Sequence, residues 1–494
     1  MVEYEAVIGL EVHAELETRS KMFCPCPVVD STVAKPNTSV CPVCSGMPGV
    51  LPVVNRKAVE YALRVALALE CEIAGTSIFA RKNYFYPDLP KGYQISQYEQ
   101  PLARNGRLLI LTSQGERLVR IRRVHMEEDT GKLTHIAKDG PEGSRIPTHS
   151  LVDLNRAGVP LLEIVTEPDL HTAEEVRAYA VSLRSVLRYL GVNSGDMQKG
   201  VLRIEPNVSV RLLGSDKLGT RVEIKNLNSF RSLERSVDYE INRQIESLEK
   251  GIAVQQQTLG WDIEHEVTVP QRIKEGEDDY RYFPEPDLPP LVLESEWIEQ
   301  IKSALPELPA ARLHRFQMQY GLNVYNAGVL IAEQAVADYF EQAAASAEGA
   351  SAKVVANWII GELFSLLNQS GISIENSPVT PSMLADVVKM AVSNEVNNNT
   401  AKSVLAEMFS TGRLAADIVN ERGLRQISDS RWIADLVAQV LATHPDEVRS
   451  FQTGKENVAR WLFGQVMRSA KGKANPQVIQ AELDRQLKEV KPNG

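Results

Sequence analysis

Two short stretches bring carboxylates and imidazoles together: Glu11-Val12-His13-Ala14-Glu15 and His125-Met126-Glu127-Glu128-Asp129. Around the first, Ile8, Leu10, Val12, Ala14 and Leu16 alternate with Gly9, Glu11, His13 and Glu15. Alternation of period two predicts a strand with one apolar face, so Glu11, His13 and Glu15 share the other. The run Leu118–Val124 predicts a second strand that leads into the other stretch. Carboxylates beside an imidazole suit a hard divalent cation, and such a cation suits phosphate chemistry. A solvated acidic sheet face has the same pattern, because surface glutamate is common. A second constellation is made of thiols. Four of the five cysteines fall as Cys24-x-Cys26 and Cys41-x-x-Cys44, with Pro25, Pro27 and Pro42 stiffening the turns. Pairs on short loops match a tetrahedral thiolate zinc site. Two disulfides are the alternative, which a reducing compartment disfavours. Cys71 falls on an apolar helical stretch and reads as a core thiol.

These groups need a frame. The chain has 494 residues, 43% hydrophobic and 24% charged, enough for two to four globular domains. No apolar run approaches the roughly 20 residues of a membrane span. The opening Met1-Val2-Glu3-Tyr4-Glu5 lacks the layout of a signal peptide. A cytoplasmic protein, or one made inside an organelle, is therefore expected. A net charge of -10 argues against non-specific coating of nucleic acid, while a local basic patch stays compatible with RNA. Helices are predicted over Val59–Cys71, over Thr172–Leu190 with a Thr172/Glu175 capping box, and over Ser229–Lys250 before Gly251. Val208–Arg211 and Arg221–Ile224 read as neighbouring strands. Pro284, Pro286, Pro289 and Pro290 mark a boundary, since such a run continues neither a helix nor a central strand. Beyond it the chain reads as helical, including Gln334–Ala347, with a break at Thr411-Gly412 and further helices over Arg431–Thr443 and Val458–Ala470. The expected class is α+β, in three parts: a mixed α/β domain over 1–292, an all-α region over 293–407 and a small helical tail over 408–494.

Longer motifs carry a resemblance. They are Arg81–Gln97 (RKNYFYPDLPKGYQISQ), His125–Lys132 (HMEEDTGK), Leu151–Ile164 (LVDLNRAGVPLLEI), Glu223–Ser229 (EIKNLNS) and Asp278–Asp287 (DDYRYFPEPD). In this order they closely resemble the B subunits of the aspartyl/glutamyl-tRNA amidotransferases, almost end to end. The run Asp153-x-Asn155-Arg156-x-Gly158-x-Pro160-Leu161 is the specific part. The resemblance implies a cradle-like catalytic first domain. It also implies that the chain phosphorylates the side-chain carboxylate of Glu-tRNA(Gln) or Asp-tRNA(Asn) with ATP and passes the acyl phosphate to ammonia. The implied partners are an amidase (the A subunit) and a small bridging C subunit, and the implied cofactors are ATP, Mg2+ and a structural Zn2+. The zinc is structural because some members of that family lack the four cysteines.

The chemistry constrains the site independently. A carboxylic acid and ammonia form a salt at neutral pH, so the acid needs a leaving group such as phosphate. Transfer between two anions demands metal and Lys/Arg. No Gly-x-x-x-x-Gly-Lys-Ser/Thr loop is present, and Gly214–Gly219 has the wrong order. Side chains must therefore hold the phosphates, with Lys82, Lys91, Arg203 and Lys225 as candidates. The metal and catalytic candidates are Glu11, His13, Glu127, Glu128, Glu163 and Glu223. The family pattern Arg-Cys-Asp-x-Asn-x-Ser stands here as Arg203-Ile204-Glu205-Pro206-Asn207-Val208-Ser209. Glu205 keeps the carboxylate on an arm one methylene longer. No Gly-x-Ser-x-Gly elbow or amidase-type serine stretch is found, so ammonia is expected from a glutamine-hydrolysing partner. Between Lys455 and Asn475 five basic residues stand against one acid. Arg468, Lys471 and Lys473 at a helix end and turn suit an RNA backbone. Two rivals remain: a non-catalytic tRNA-binding component, and the archaeal-type E subunit that works on Glu-tRNA alone.

Overall fold

The computed structural model describes residues 3–139, 145–273, 280–426, 429–453, 455, 457–470 and 474–489. The chain divides into two compact units, Met1–Ala311 and Arg312–Gly494.

The described strands belong to the first unit. In chain order they are β1 (Tyr4–Glu15), β2 (Glu72–Ile73), β3 (Thr76–Ser77), β4 (Ala80–Asn83), β5 (Tyr93–Ser96), β6 (Ala103–Thr112), β7 (Gly115–Glu128), β8 (Lys132–Asp139), β9 (Arg145–Asp153), β10 (Pro160–Thr166), β11 (Leu202–Leu212), β12 (Val222–Lys225), β13 (Gln257–Asp262), β14 (Val267–Ile273), β15 (Phe283–Pro284) and β16 (Leu291–Val292). Nine of them form one sheet in the order β14-β13-β12-β11-β1-β10-β7-β6-β2. Among the described pairs only β12–β13 is parallel, and helix α3 (Phe230–Glu249) makes the crossover that a parallel pair requires. The first strand of the chain thus lies in mid-sheet, between strands about 150 and 200 residues further on.

Burial explains this placement. Ile8, Leu10, Val12 and Ala14 are fully buried beneath helices α1 (Arg56–Ala68), α2 (Ala173–Tyr189) and α3. Burying each larger side chain contributes about 1.5–3 kcal/mol. A one-residue slip of β1 would drive Glu11 and His13 into that core, so the register is firmly specified. Helix α2 carries the expected capping box, and α3 starts at the Ser229 cap and stops before Gly251 (φ +72°). Helix α1 starts earlier than expected because the Asn55 side chain accepts from Lys57 N and Ala58 N. It ends at Ala68, and Glu70 turns left-handed (φ +53°). Cys71 therefore lies just past the helix, buried, with its thiol pushed up to about 12 by desolvation.

The proline-rich segment is tied down. Phe283–Pro284 pair with Ala80–Arg81, and Leu291–Val292 pair with Thr76–Ser77. The Arg81 guanidinium donates to both oxygens of buried Glu285, at 2.7 and 2.8 Å. The first unit then continues through α4 (Ser295–Ser303) to Ala311, past the expected boundary at 292.

Helices alone make up the described part of the second unit. Two separate hydrophobic clusters form there, one spanning Phe316–Val419 and one Ile433–Leu487. In the first, α5 (Pro309–Tyr320) meets α7 (Gln334–Ser346) through Glu341, which pairs with Arg312 and Arg315 and accepts from Tyr320 Oη at 3.2 Å. In the second, α13 (Ser430–Thr443), α14 (Pro445–Gln452), α15 (Asn457–Ser469) and α16 (Pro476–Glu489) pack together. Among the described residues no helix is long and apolar enough to cross a membrane.

Candidate functional site

The polar face of the central sheet carries the site. Residues on one face of a strand recur every second position, and the register aligns them across strands. Glu11 on β1 stands opposite Glu205 on β11, and His13 stands opposite Arg203 on β11 and Glu163 on β10. Glu163 in turn faces His125 on β7, and Asn207 faces Glu223 on β12. A cavity of about 820 Å³ opens over this grid. Glu11, His13, Glu127, Glu163, Glu205, Glu223, Lys82, Arg203 and Lys225 all line it.

Two sets of ligand atoms converge within it. His13, Glu127 and Glu163 bring one atom each within 4.8 Å of one another, and so do Glu11, Glu205 and Glu223. The metal candidates thus fall into two sets, because β1 contributes Glu11 to one row and His13 to the next. In the first set His13 Nε2 lies 3.9 Å from Glu127 and 3.7 Å from Glu163, and His125 Nε2 lies 3.0 Å from Glu163. Burial would raise both carboxyls, but the two separate. Glu163 is held well below the usual carboxylate range by His125 and His13, whereas Glu127 is raised by burial and by Glu163 beside it. The imidazole Nδ1 atoms of His13 and His125 are buried without hydrogen-bond partners among the described residues, as is Asn207 Oδ1. In the second set Lys225 Nζ sits 2.6 Å from Glu205 and 3.6 Å from Glu223. Burial would raise Glu205, but Lys225 keeps it low.

A third charged group closes one end. Arg203 donates to Asp129 at 2.9 Å and lies 3.8 Å from Glu15, while Arg156 lies 3.7 Å from Asp129. Burial would raise Asp129, but the two guanidinium groups hold it low. Burial and Asp129 push Glu15 up to about 8. Tyrosines form the opposite wall. Tyr98 and Tyr282 stack at 4.1 Å, Tyr280 meets Tyr84 and Tyr282 edge-on, and Lys82 Nζ lies 5.0 Å from the Tyr280 ring. Burial opposes the Lys82 charge, but the phenols and the carboxylates of Glu127 and Glu163 raise its pKa.

Lys91 and Glu128 stand elsewhere. Period-two alternation turns Glu128 away from Glu127's face, and it pairs with Lys91 beside a smaller cavity of about 240 Å³. That cavity also touches the thiols. Cys24, Cys26, Cys41 and Cys44 are free, and their sulfurs lie within 4.8 Å of one another. Beside them Lys21, only 1% exposed, donates to Ser39 O at 2.8 Å, Leu154 O at 3.2 Å and Cys44 Sγ at 3.5 Å. The Cys24 thiol, against the effect of burial and with help from the Lys21 ammonium, brings Cys44 down to about 4. Gly158 (φ +86°) lets the Asp153–Gly158 loop turn against this cluster, where a Cβ would meet Cys44 Cβ at 3.4 Å. In the tail, Arg468 is exposed in the last turn of α15; Lys471 and Lys473 lie outside the described residues.

Site-facing residues given no catalytic or ligand role from the sequence include Arg123, His125, Asp129 and the tyrosines. The period that selects Glu127 selects His125 and Arg123 as well. No local pattern joins Tyr98 to Tyr282, which chain folding alone brings together.

A carboxylate and histidine face of this kind defines a class. Residues 6–299 match the GatB/GatE catalytic domain, and residues 338–487 match the GatB domain. A relative from Moorella thermoacetica is 51% identical over 98% of this chain and 100% of its own length. Relatives from Caldanaerobacter subterraneus and Myxococcus xanthus are each 49% identical over 98% of this chain, and over 100% and 99% of their own lengths. All three are named as the B subunit of an aspartyl/glutamyl-tRNA(Asn/Gln) amidotransferase, and this chain belongs to that family.

Proposed function

We propose that this chain is the tRNA-binding, carboxylate-activating component of a glutamine-dependent amidotransferase. It takes Glu-tRNA(Gln), Asp-tRNA(Asn) or both, with ATP as phosphoryl donor. The observation that carries this reading is the pair of ligand clusters side by side in one cavity with Lys82, Arg203 and Lys225. A carboxylate oxygen of the aminoacyl side chain attacks the γ-phosphorus, and the bond to the β,γ-bridging oxygen breaks as ADP leaves. Ammonia then adds to the acyl carbon and phosphate departs, taking a proton from the nitrogen. The first step brings two anions together and the second expels one, and both are eased by the cations that line the site.

The donor sets fit two kinds of metal. The oxygen-rich clusters, with their crowded carboxylates, fit Mg2+, which keeps waters and needs few protein ligands. The ion would neutralise phosphate charge there. Glu11, Glu205 and Glu223 would hold one ion, and His13, Glu127 and Glu163 a second. The four thiols fit tetrahedral Zn2+ in a structural role. Arg203 stays braced by Asp129, and Lys82 and Lys225 remain as cations toward the phosphates. A glutaminase, formed by the amidase-type A subunit with the small C subunit, supplies ammonia in this reading. The tail contacts tRNA.

The test is reconstitution with those partners, ATP and each misacylated tRNA, following ADP and amide separately. Glu11→Ala should stop carboxylate phosphorylation, by roughly a hundredfold or more, while glutamine hydrolysis in the partner survives at least in part. Normal amidation by that variant would show that catalysis resides elsewhere and reduce this chain to passive tRNA binding.

A further inference from the structure

Some cations of the cavity are held by protein groups and others, Lys82 and Arg123 among them, have no side-chain ion pair or hydrogen bond to a described residue. Arg203 is engaged by Asp129, Lys225 by Glu205, and Arg156 by Asp129 and two carbonyl oxygens. Arg123, half-buried on β7, has no ion pair and no hydrogen bond from its guanidinium to any described residue. Its Nε is buried and without a partner. Its charge lies over the face of Tyr98, 5.8 Å away, in the ring pair that Tyr98 makes with Tyr282. An unengaged donor of this kind is costly unless something fills it.

Its position says what fills it. Arg123 shares a face with His125 and Glu127 on β7 and stands opposite Val165 on β10, which stands opposite Glu11 on β1. The guanidinium therefore springs from a point two strands, roughly 10 Å, from the strand of Glu11. The guanidinium and the first ligand set, through His125 and Glu127 of the same strand face, line one cavity. The planar fork matches a carboxylate in bidentate fashion. A phosphate offers related chemistry, but Arg203 and Lys225 already stand among the carboxylates of the site, and of the two cations that lie over the tyrosine wall, Lys82 and Arg123, only Arg123 carries a planar fork.

We propose that Arg123 grips the side-chain carboxylate of the aminoacyl group, making it the residue that distinguishes substrate from product. This rests on the function proposed above. In the substrate the fork faces a carboxylate. After phosphorylation it still faces an anion, because the acyl phosphate keeps its charge. Once ammonia has displaced phosphate the group is a neutral carboxamide, the ion pair is gone, and the product is released more readily.

The test is equilibrium binding of Glu-tRNA(Gln) and Gln-tRNA(Gln) to the reconstituted complex. The native complex should prefer the carboxylate form by roughly tenfold to a hundredfold, the range of a charged hydrogen-bonded pair. Arg123→Met should erase that preference and leave the KM for ATP unchanged, and Arg123→Lys should retain part of it. An unchanged preference in Arg123→Met overturns the proposal. So does a weakened KM for ATP with the preference intact, which would assign the guanidinium to the nucleotide. Should Arg123→Met not assemble, Arg123→Lys decides, because loss of the fork must lower the preference. Failure of the functional reading looks different: the native complex would form no ADP with either misacylated tRNA.

Discussion

Glu11 and His13 are two positions apart, yet they feed different ligand sets, because each faces a different row of the neighbouring strands. In the proposed function each set is an independent cation site. Titration with Mn2+ followed by electron paramagnetic resonance should show two bound ions in the native protein. Glu205→Gln should weaken one and Glu163→Gln the other, each by roughly tenfold or more through loss of a charged ligand. A single variant that removes both ions would show one shared site. Much of this was legible in the sequence, because period two places Glu11, His13 and Glu15 on one face whatever the fold. The division into two sets was not, since it depends on which residues of β10, β11 and β12 come opposite, and register between strands so far apart leaves no local trace. Arg123 was legible in principle by counting back from Glu127. A lone arginine in Arg120–Arg123 has no signal that separates it from its solvent-facing neighbours, and Arg120 and Arg122 do pair with Asp169 and Glu167.

At the scale of elements, caps and buried ion pairs fix the helices and hairpins. Glu341 on α7 staples Arg312 and Arg315 of α5. Burial works against its charge, but those two guanidinium groups bring it down to about 2. The charged form is thus favoured in the folded state. The stabilisation is fully present above the ordinary glutamate range and is lost as pH falls from there toward 2. Glu341→Gln should cost about 1–3 kcal/mol at pH 7, discounted for the part of the side chain that stays wet. Denaturant melts should show the cost fading as both proteins are acidified; a gap that stays constant with pH would refute the ion-pair account. The thiol hairpins give a second element-scale expectation. Reduced protein should carry one zinc per chain by elemental analysis, and Cys41→Ser should lose it while α2 and α3, capped by their own residues, persist in circular dichroism. The cysteine spacing disclosed this cluster. Lys21 at its side was silent, because an isolated lysine reads as surface until the fold buries it.

For the whole molecule, the helical tail has its own hydrophobic core, from Ile433 to Leu487, and exposes Arg468. In the proposed function it anchors tRNA by phosphates. Deleting residues 429–494, which leaves the Phe316–Val419 cluster whole, should raise the KM for tRNA while turnover at saturation changes little, the mark of lost uniform binding. The log–log salt slope should fall by roughly 0.7–0.9 for each phosphate contact removed. Unchanged tRNA affinity at moderate salt would give the tail another task, such as holding the partner proteins. The order of parts was legible from composition, with strands first and helices after. The end of the first unit was not, since the prolines that suggest a linker are pinned by β4 and β3. The mid-sheet position of β1 also has a consequence for biosynthesis. This strand leaves the ribosome before its partners β10 and β11, which end at Thr166 and Leu212. At about 5–20 residues per second the nascent chain waits on the order of 10–40 s with Ile8, Leu10 and Val12 exposed and both strand edges unpaired. Unpaired edges of this kind favour capture by a chaperone, so nascent chains arrested before residue 202 should be bound by one and released once β11 has emerged.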